Sequence, residues 1–233
     1  MKKIILLLIC CFCSVGFSQN YDISPDQLIN SGNVLIQRLK KYEGDAKGNP
    51  YISKDFVKGK LVFNNGKEYD ALIRLNVSEQ KFEIKKDINS NPAAIQIDET
   101  VKVNIAKASY KLHSFNLGSN TNTIAILEEC LILDKYALYY FPQKKLEMPS
   151  KSAIPAPTSG YTKPIRPEWK DDSAYLIFYN NKTYELPTSH KKMMDLRLFD
   201  EKLYKKYRKA NKLNLKNKES LKGLITYFNS LDS

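Results

Sequence analysis

Histidine and cysteine are scarce in this chain, and their scarcity removes most metal and nucleophile chemistry. There are two histidines, His113 and His190, and four cysteines, three of which (Cys10, Cys11 and Cys13) crowd the first 18 residues. A zinc site takes three or four N, S or O ligands, N and S foremost. Beyond residue 18 only His113, His190 and Cys130 offer N or S, and they stand apart without ligand spacing. Ser–His and Cys–His nucleophilic arrangements meet the same shortage. An internal disulfide needs two thiols, so Cys130, within the apolar run Ile124 to Leu133, reads as a small buried hydrophobe. The nine glycines stand singly, with no phosphate-cradling loop and no dinucleotide fingerprint. The sequence therefore calls for no metal, no cofactor and no catalytic residue. No apolar run reaches the roughly 20 residues that a membrane-crossing helix requires.

What is present begins with an address. Lys2 and Lys3, the apolar stretch Ile4 to Phe12 and the small-x-small site Gly16-Phe17-Ser18 form a secretory signal peptide over residues 1–18, cleaved near Ser18. The expected location is periplasmic or secreted. A lipid anchor is disfavoured, because Ile9, Cys10 and Phe12, none of them the small residue a lipobox needs, precede the three cysteines.

Charge is unevenly spread. The formal net charge is +12, and +10 without Lys2 and Lys3. Residues 19–150 carry a net +2, residues 151–187 a net +1, and residues 188–233 a net +7. The basic character belongs to the C-terminal tail, which makes an anionic partner the natural electrostatic expectation. Arginine is rare there, only Arg197 and Arg208, which argues against bidentate phosphate recognition. Nucleic acid is not an expected partner outside the cytoplasm.

Four segments follow from the pattern. After the signal peptide, residues 19–148 hold an N-terminal helix and an antiparallel β domain. Ser24-Pro25 opens the helix, which runs to Tyr42 although Gly32 weakens it. From Gly59 the period changes to two, and Asn65-Gly66 predicts a type I′ hairpin turn. Strands are expected at Lys67–Val77, Lys81–Lys85, Ala94–Ile97, Val101–Ile105, Tyr110–Phe115, Thr123–Leu133 and Tyr136–Phe141. Residues 149–170 hold five of the ten prolines and read as a linker or long loop. Residues 171–233 supply a hairpin, Ser173–Tyr179 with Thr183–Leu186, and a basic helical pair.

On a helical wheel Leu196, Phe199, Leu203, Tyr207 and Ala210 share one face, and Lys202, Lys205, Lys206 and Lys209 the other. Asp200 is the candidate N-cap and Asn211 the candidate close. The second helix repeats Leu221, Leu224, Ile225, Phe228 and Leu231. The fold class is α+β: a curved antiparallel meander, roll or open barrel, followed by two C-terminal amphipathic helices.

Two groups of motifs carry a resemblance. One is Gly48-Asn49-Pro50-Tyr51 with Phe56, Gly59, Asn65-Gly66, Leu72-Ile73-Arg74-Leu75-Asn76 and Lys81-Phe82-Glu83. The other is Tyr175-Leu176-Ile177-Phe178-Tyr179-Asn180-Asn181-Lys182 leading into the lysine-rich helices. Together they resemble a group of uncharacterised exported proteins of Bacteroidota with no established activity. The resemblance implies an envelope location and a β-front, helical-back architecture.

Carboxylate pairs at Asp98-Glu99, Glu128-Glu129 and Asp171-Asp172 are the remaining acid–base candidates. On a strand, neighbours face opposite ways, so the first two pairs cannot share a substrate if they are strand residues, and Asp171-Asp172 is explained by a turn. Asp172-Ser173-Ala174 resembles a short O-glycosylation motif. The functional expectation is a non-enzymatic envelope protein that binds or scaffolds. Its partner, an anionic component or a protein, would meet the sheet edge or the lysine face of Lys202, Lys205, Lys206 and Lys209. The alternative is a carrier of lipid or another apolar ligand inside a curved sheet.

Overall fold

Period-two alternation from Gly59 onward becomes a run of antiparallel hairpins in the computed structural model, which describes residues 34–37, 46–118, 122–148 and 166–231. Residues 1–18, expected to be a signal peptide, most of the N-terminal segment and residues 149–165 lie outside the described residues.

Eleven strands form one open sheet. They are β1 (Val34–Gln37), β2 (Val57–Val62), β3 (Glu68–Asn76), β4 (Lys81–Lys85), β5 (Ala93–Ile97), β6 (Lys102–Ile105), β7 (Ala108–Asn116), β8 (Asn122–Ile132), β9 (Tyr136–Phe141), β12 (Ala174–Tyr179) and β13 (Lys182–Leu186). The intervening β10 (Lys144–Glu147) and β11 (Glu168–Asp171) form a separate two-stranded ribbon. The large sheet runs β1-β5-β4-β3-β2-β6-β7-β8-β9-β12-β13, and every pairing is antiparallel.

The connection from β5 to β6 forces curvature. Five steps from Ile97 to Lys102 reach at most about 18 Å, whereas four flat interstrand spacings would need about 19 Å. The chain also spends part of that length on a turn, in which Asp98 accepts from the Thr100 N–H at 2.8 Å. The sheet must therefore curl over this region. Leu61, Ile73, Phe82, Ile95 and Val103, all fully buried, fill the curl. A second curl lies at the other end, where β13 comes within 8 Å of β7 although three strands separate them in the sheet. It encloses Phe115, Leu127, Tyr139, Phe141 and Leu176. Gln80, at the β3–β4 turn, ties the halves together: its amide donates to Val77 O and Pro142 O and accepts from the Ile126 N–H at 2.8 Å.

Three helices follow: α1 (His190–Asp195), α2 (Glu201–Asn211) and α3 (Lys218–Leu231). They pack on the face of β9 and β12 that carries Tyr136, Leu138 and Ile177, opposite Tyr139 and Leu176. The α+β class with an open antiparallel sheet and C-terminal helices holds.

Several local expectations do not. Within the helix expected from Pro25 to Tyr42, Val34–Gln37 is instead strand β1, paired with β5. The outer edge of β5 offers unpaired N–H and C=O groups, and Val34 and Ile36 bury into the first core by taking them. The end of the proline-rich 149–170 segment is strand β11, since residues 168–171 contain no proline and their N–H groups are free to pair with β10.

The Asn65-Gly66 turn is not type I′. Phe63 N–H donates to Lys67 O and Gly66 N–H to Phe63 O, both at 2.9 Å, and only Gly66 takes positive φ, at +78°. That is a three-residue loop of a type I turn closed by a left-handed glycine. The type I′ geometry appears at Asn180-Asn181, with φ +49° and +58°.

Asp200 does cap α2, accepting from Leu203 N–H at 2.9 Å. The helix closes at Lys212, in the left-handed conformation at φ +47°, rather than at Asn211. Leu196 and Phe199 precede α2, because Arg197 at φ +54° breaks the chain between α1 and α2.

Candidate functional site

Helix α2 spends its apolar side on the second core and presents its basic side outward. Tyr204 is buried, and its hydroxyl meets His190 Nδ1 at 2.7 Å. Burial pushes that phenol up to about 12. Tyr207 stacks near Tyr227 of α3 at 4.9 Å, and Phe199 against Phe228 at 4.3 Å. These contacts leave Lys202, Lys205, Lys206 and Lys209 exposed to solvent. Lys205 pairs with Glu201 one turn back. Lys202, Lys206 and Lys209 make no ion pair among the described residues. Exposed Lys191, Lys192, Arg197, Arg208 and Lys212 extend the basic surface of the helical region. The four lysines named from the sequence are thus one physical face.

Helix α3 anchors this assembly. Leu221, Leu224, Ile225 and Phe228 are buried. Lys218 reaches Glu128 of β8, whose side chain is only 8% exposed. Asn217 accepts from Ser220 N–H at 2.9 Å, capping the helix start.

The acid–base candidates separate as alternation requires. Glu128 faces α3, whereas Glu129 faces the other way, where Lys102 Nζ lies 2.7 Å from it. His113 Nε2 stands 3.9 Å from Glu129 and has no hydrogen-bond partner. Its ring packs edge-on against Tyr139 at 4.7 Å, and desolvation lowers its pKa. Cys130 belongs to the opposite, helix-packed side, so it and His113 do not meet. Burial, reinforced by Glu128, pushes the Cys130 thiol up to about 12, which leaves it a poor nucleophile. Asp98-Glu99 lies in a turn rather than a strand. Asp171 accepts from Ser173 Oγ at 2.6 Å, and Ser173 also bonds Gln143. The hydroxyl of the Asp172-Ser173-Ala174 motif is thus already engaged.

One charged cluster was not legible as a unit in the sequence. Arg74 donates to Glu83 through Nε at 2.7 Å and Nη2 at 2.6 Å, and Tyr51 Oη donates to Glu83 at 3.1 Å. The guanidinium lies between the rings of Tyr51 and Phe56, at 3.9 and 4.3 Å. Burial, with Glu83 beside it, pushes the Tyr51 phenol up to about 12. Every strong partner in the cluster is satisfied internally, so it fastens the 46–56 segment to the sheet.

An open groove of about 700 Å³ runs along β2 and β3, lined by Lys58, Lys60, Lys86, Glu68 and Asp70. Lys60 and Glu68 neutralise each other at 2.6 Å. Among the described residues no group of three or more His, Cys, Asp or Glu side chains is placed to hold a metal. No described helix is long and apolar enough to cross a membrane. Comparison with protein-family models, curated proteins and solved structures returns no match for this chain.

Proposed function

We propose that this is a non-enzymatic protein of the cell envelope, exported by its signal peptide, that binds an anionic envelope component through the lysine face of α2. The observation that carries the reading is the exposure of Lys202, Lys206 and Lys209 without acidic partners, on a helix whose other side is buried. A helix anchored by its apolar face gives a rigid row of charges, and such a row attracts polyanions with a strength that falls as salt rises. Lysines act there as point charges, suited to a diffuse anionic surface rather than to one oriented phosphate.

Packing speaks for this over the carrier reading. Aromatic side chains inside the second curl meet one another, Phe115 with Phe141 at 5.7 Å and Tyr139 with Phe178 at 4.5 Å. The first curl is filled by buried side chains, Leu61, Ile73, Phe82, Ile95 and Val103 among them.

The test is retention of the chain from Gln19 onward on vesicles containing phosphatidylglycerol. Binding at low salt, release at high salt, and loss in the Lys202→Gln, Lys205→Gln, Lys206→Gln, Lys209→Gln variant are expected. Equal retention of that variant would sink the reading.

A further inference from the structure

Along α2 the basic side chains are ordered as well as exposed. Lys202, Lys206 and Lys209 follow one another at i, i+4 and i+7, so on a regular α-helix they keep within an arc of about 60°. No other residue of the helix falls inside that arc. Their backbone positions step along the axis by about 6 Å and then about 4.5 Å. All three are exposed and make no ion pair among the described residues. Glu201 lies about 100° round the helix from Lys202 and is taken by Lys205. The result is a single file of cations about 10.5 Å long.

A planar anionic surface would be served by any scatter of lysines, and a file is more order than it needs. Helices that settle into a bilayer interface lay an apolar face among the lipids. The apolar face of α2 is turned to the protein instead, with Tyr204 buried and Leu203 and Tyr207 packed in the same cluster. The tyrosines therefore stand on the far side of the helix from the file. A ligand there meets charge without a stacking platform. Arg208 also lies outside the arc, so each cation on the file is a point charge that one carboxylate can answer.

One partner chemistry has a matching order: a linear polymer with one negative charge per unit, at a repeat close to the lysine step. We propose that the anionic component bound by α2 is a linear acidic polysaccharide, a chain of uronic acids lying along the helix with a carboxylate against each of Lys202, Lys206 and Lys209. The proposal rests on the anion-binding reading of this face and names its partner. Condensed phosphate chains carry their charges more closely than these lysines are spaced. No ring or amide on the file reads sugar hydroxyls, so chains of different uronic acids should bind alike.

The test is fluorescence anisotropy of end-labelled galacturonate, trigalacturonate and hexagalacturonate with the chain from Gln19 onward at low salt, run beside retention on phosphatidylglycerol vesicles. Each carboxylate that gains a lysine should strengthen binding about two- to fivefold, as exposed ion pairs do, so the trimer should bind about tenfold tighter than the monomer. The hexamer should add little beyond its extra registers, and raised salt should erase the difference. In the Lys202→Gln, Lys206→Gln, Lys209→Gln variant, whose new side chains favour helix as well as lysine does, the length dependence should vanish. The Lys58→Gln, Lys67→Gln, Lys107→Gln variant loses the same net charge from exposed sites of the β domain and should bind as the parent does. A trimer no tighter than the monomer, on protein that vesicles still retain, overturns the polysaccharide and leaves the anionic reading standing. Equal weakening in both triple variants overturns it too, because net charge alone would then be at work. Loss of both vesicle and trimer binding removes the anionic reading itself, and this inference with it.

Discussion

Glu83 is 3% exposed in its side chain, yet it keeps its place because Arg74 and Tyr51 meet its oxygens. Removing one partner of a buried pair leaves the other charge uncompensated, which costs more than the pair contributes. Arg74→Ala should therefore destabilise the protein by about 3–5 kcal/mol, read as a lowered urea midpoint at unchanged slope. A loss below about 1 kcal/mol would place Glu83 in an unexpectedly wet environment. A turn expected at Ser78-Glu79-Gln80 puts Arg74 and Glu83 close across a hairpin but out of step by one residue; the four-residue turn over residues 77–80 sets them opposite each other. That segment 46–56 folds over them, with Tyr51 and Phe56 on the guanidinium, depends on contacts that no local pattern encodes. Gly59 is a second case: a Cβ there would stand 2.7 Å from Asn104 O, a carbonyl brought up only by β6.

Hairpins obey their turn chemistry unevenly. Ala106 joins β6 to β7 in a two-residue loop at φ +53°, a conformation in which Cβ crowds the following carbonyl. Glycine takes this φ without that clash, so Ala106→Gly should stabilise by up to about 1 kcal/mol and raise Tm. A lower Tm would mean that the glycine's extra unfolded-state freedom outweighs the relieved strain. Most strands were readable from alternation, β3, β4, β7, β9 and β13 among them. The misses share a cause. β1, β10 and β11 are four residues each, offering only two residues to a face, and each forms because a partner edge is waiting. Helix α2 was legible in its faces and its Asp200 cap. The apolar stripe reads on to Leu196, but Leu196 and Phe199 lie outside the helix because Arg197 at φ +54° turns the chain ahead of Asp200.

For the molecule entire, the histidines set an acid limit. His113 is held below its ordinary pKa by desolvation, with Lys111 and Lys102 opposing Glu129, and His190 is lowered by desolvation and Arg208. A histidine whose folded pKa is depressed binds fewer protons than the unfolded chain does. Stability from this source is full above the unfolded value of about 6.5 and falls as pH drops below it. His113→Phe should flatten the fall in unfolding free energy between pH 7 and about 5.5; an unchanged slope would show that His113 does not carry it.

Composition alone determined that histidine and cysteine are scarce and that positive charge gathers at the C-terminus. Alternation and helical periodicity, being local, determined most strands, the faces of α2 and α3, and the α+β class. Tertiary structure decided the rest. It placed β6 beside β2, folded the sheet twice, and separated His113 from Cys130. Such juxtapositions arise from the short β5–β6 connection and from burial of the two curls, both of which join residues far apart in the chain.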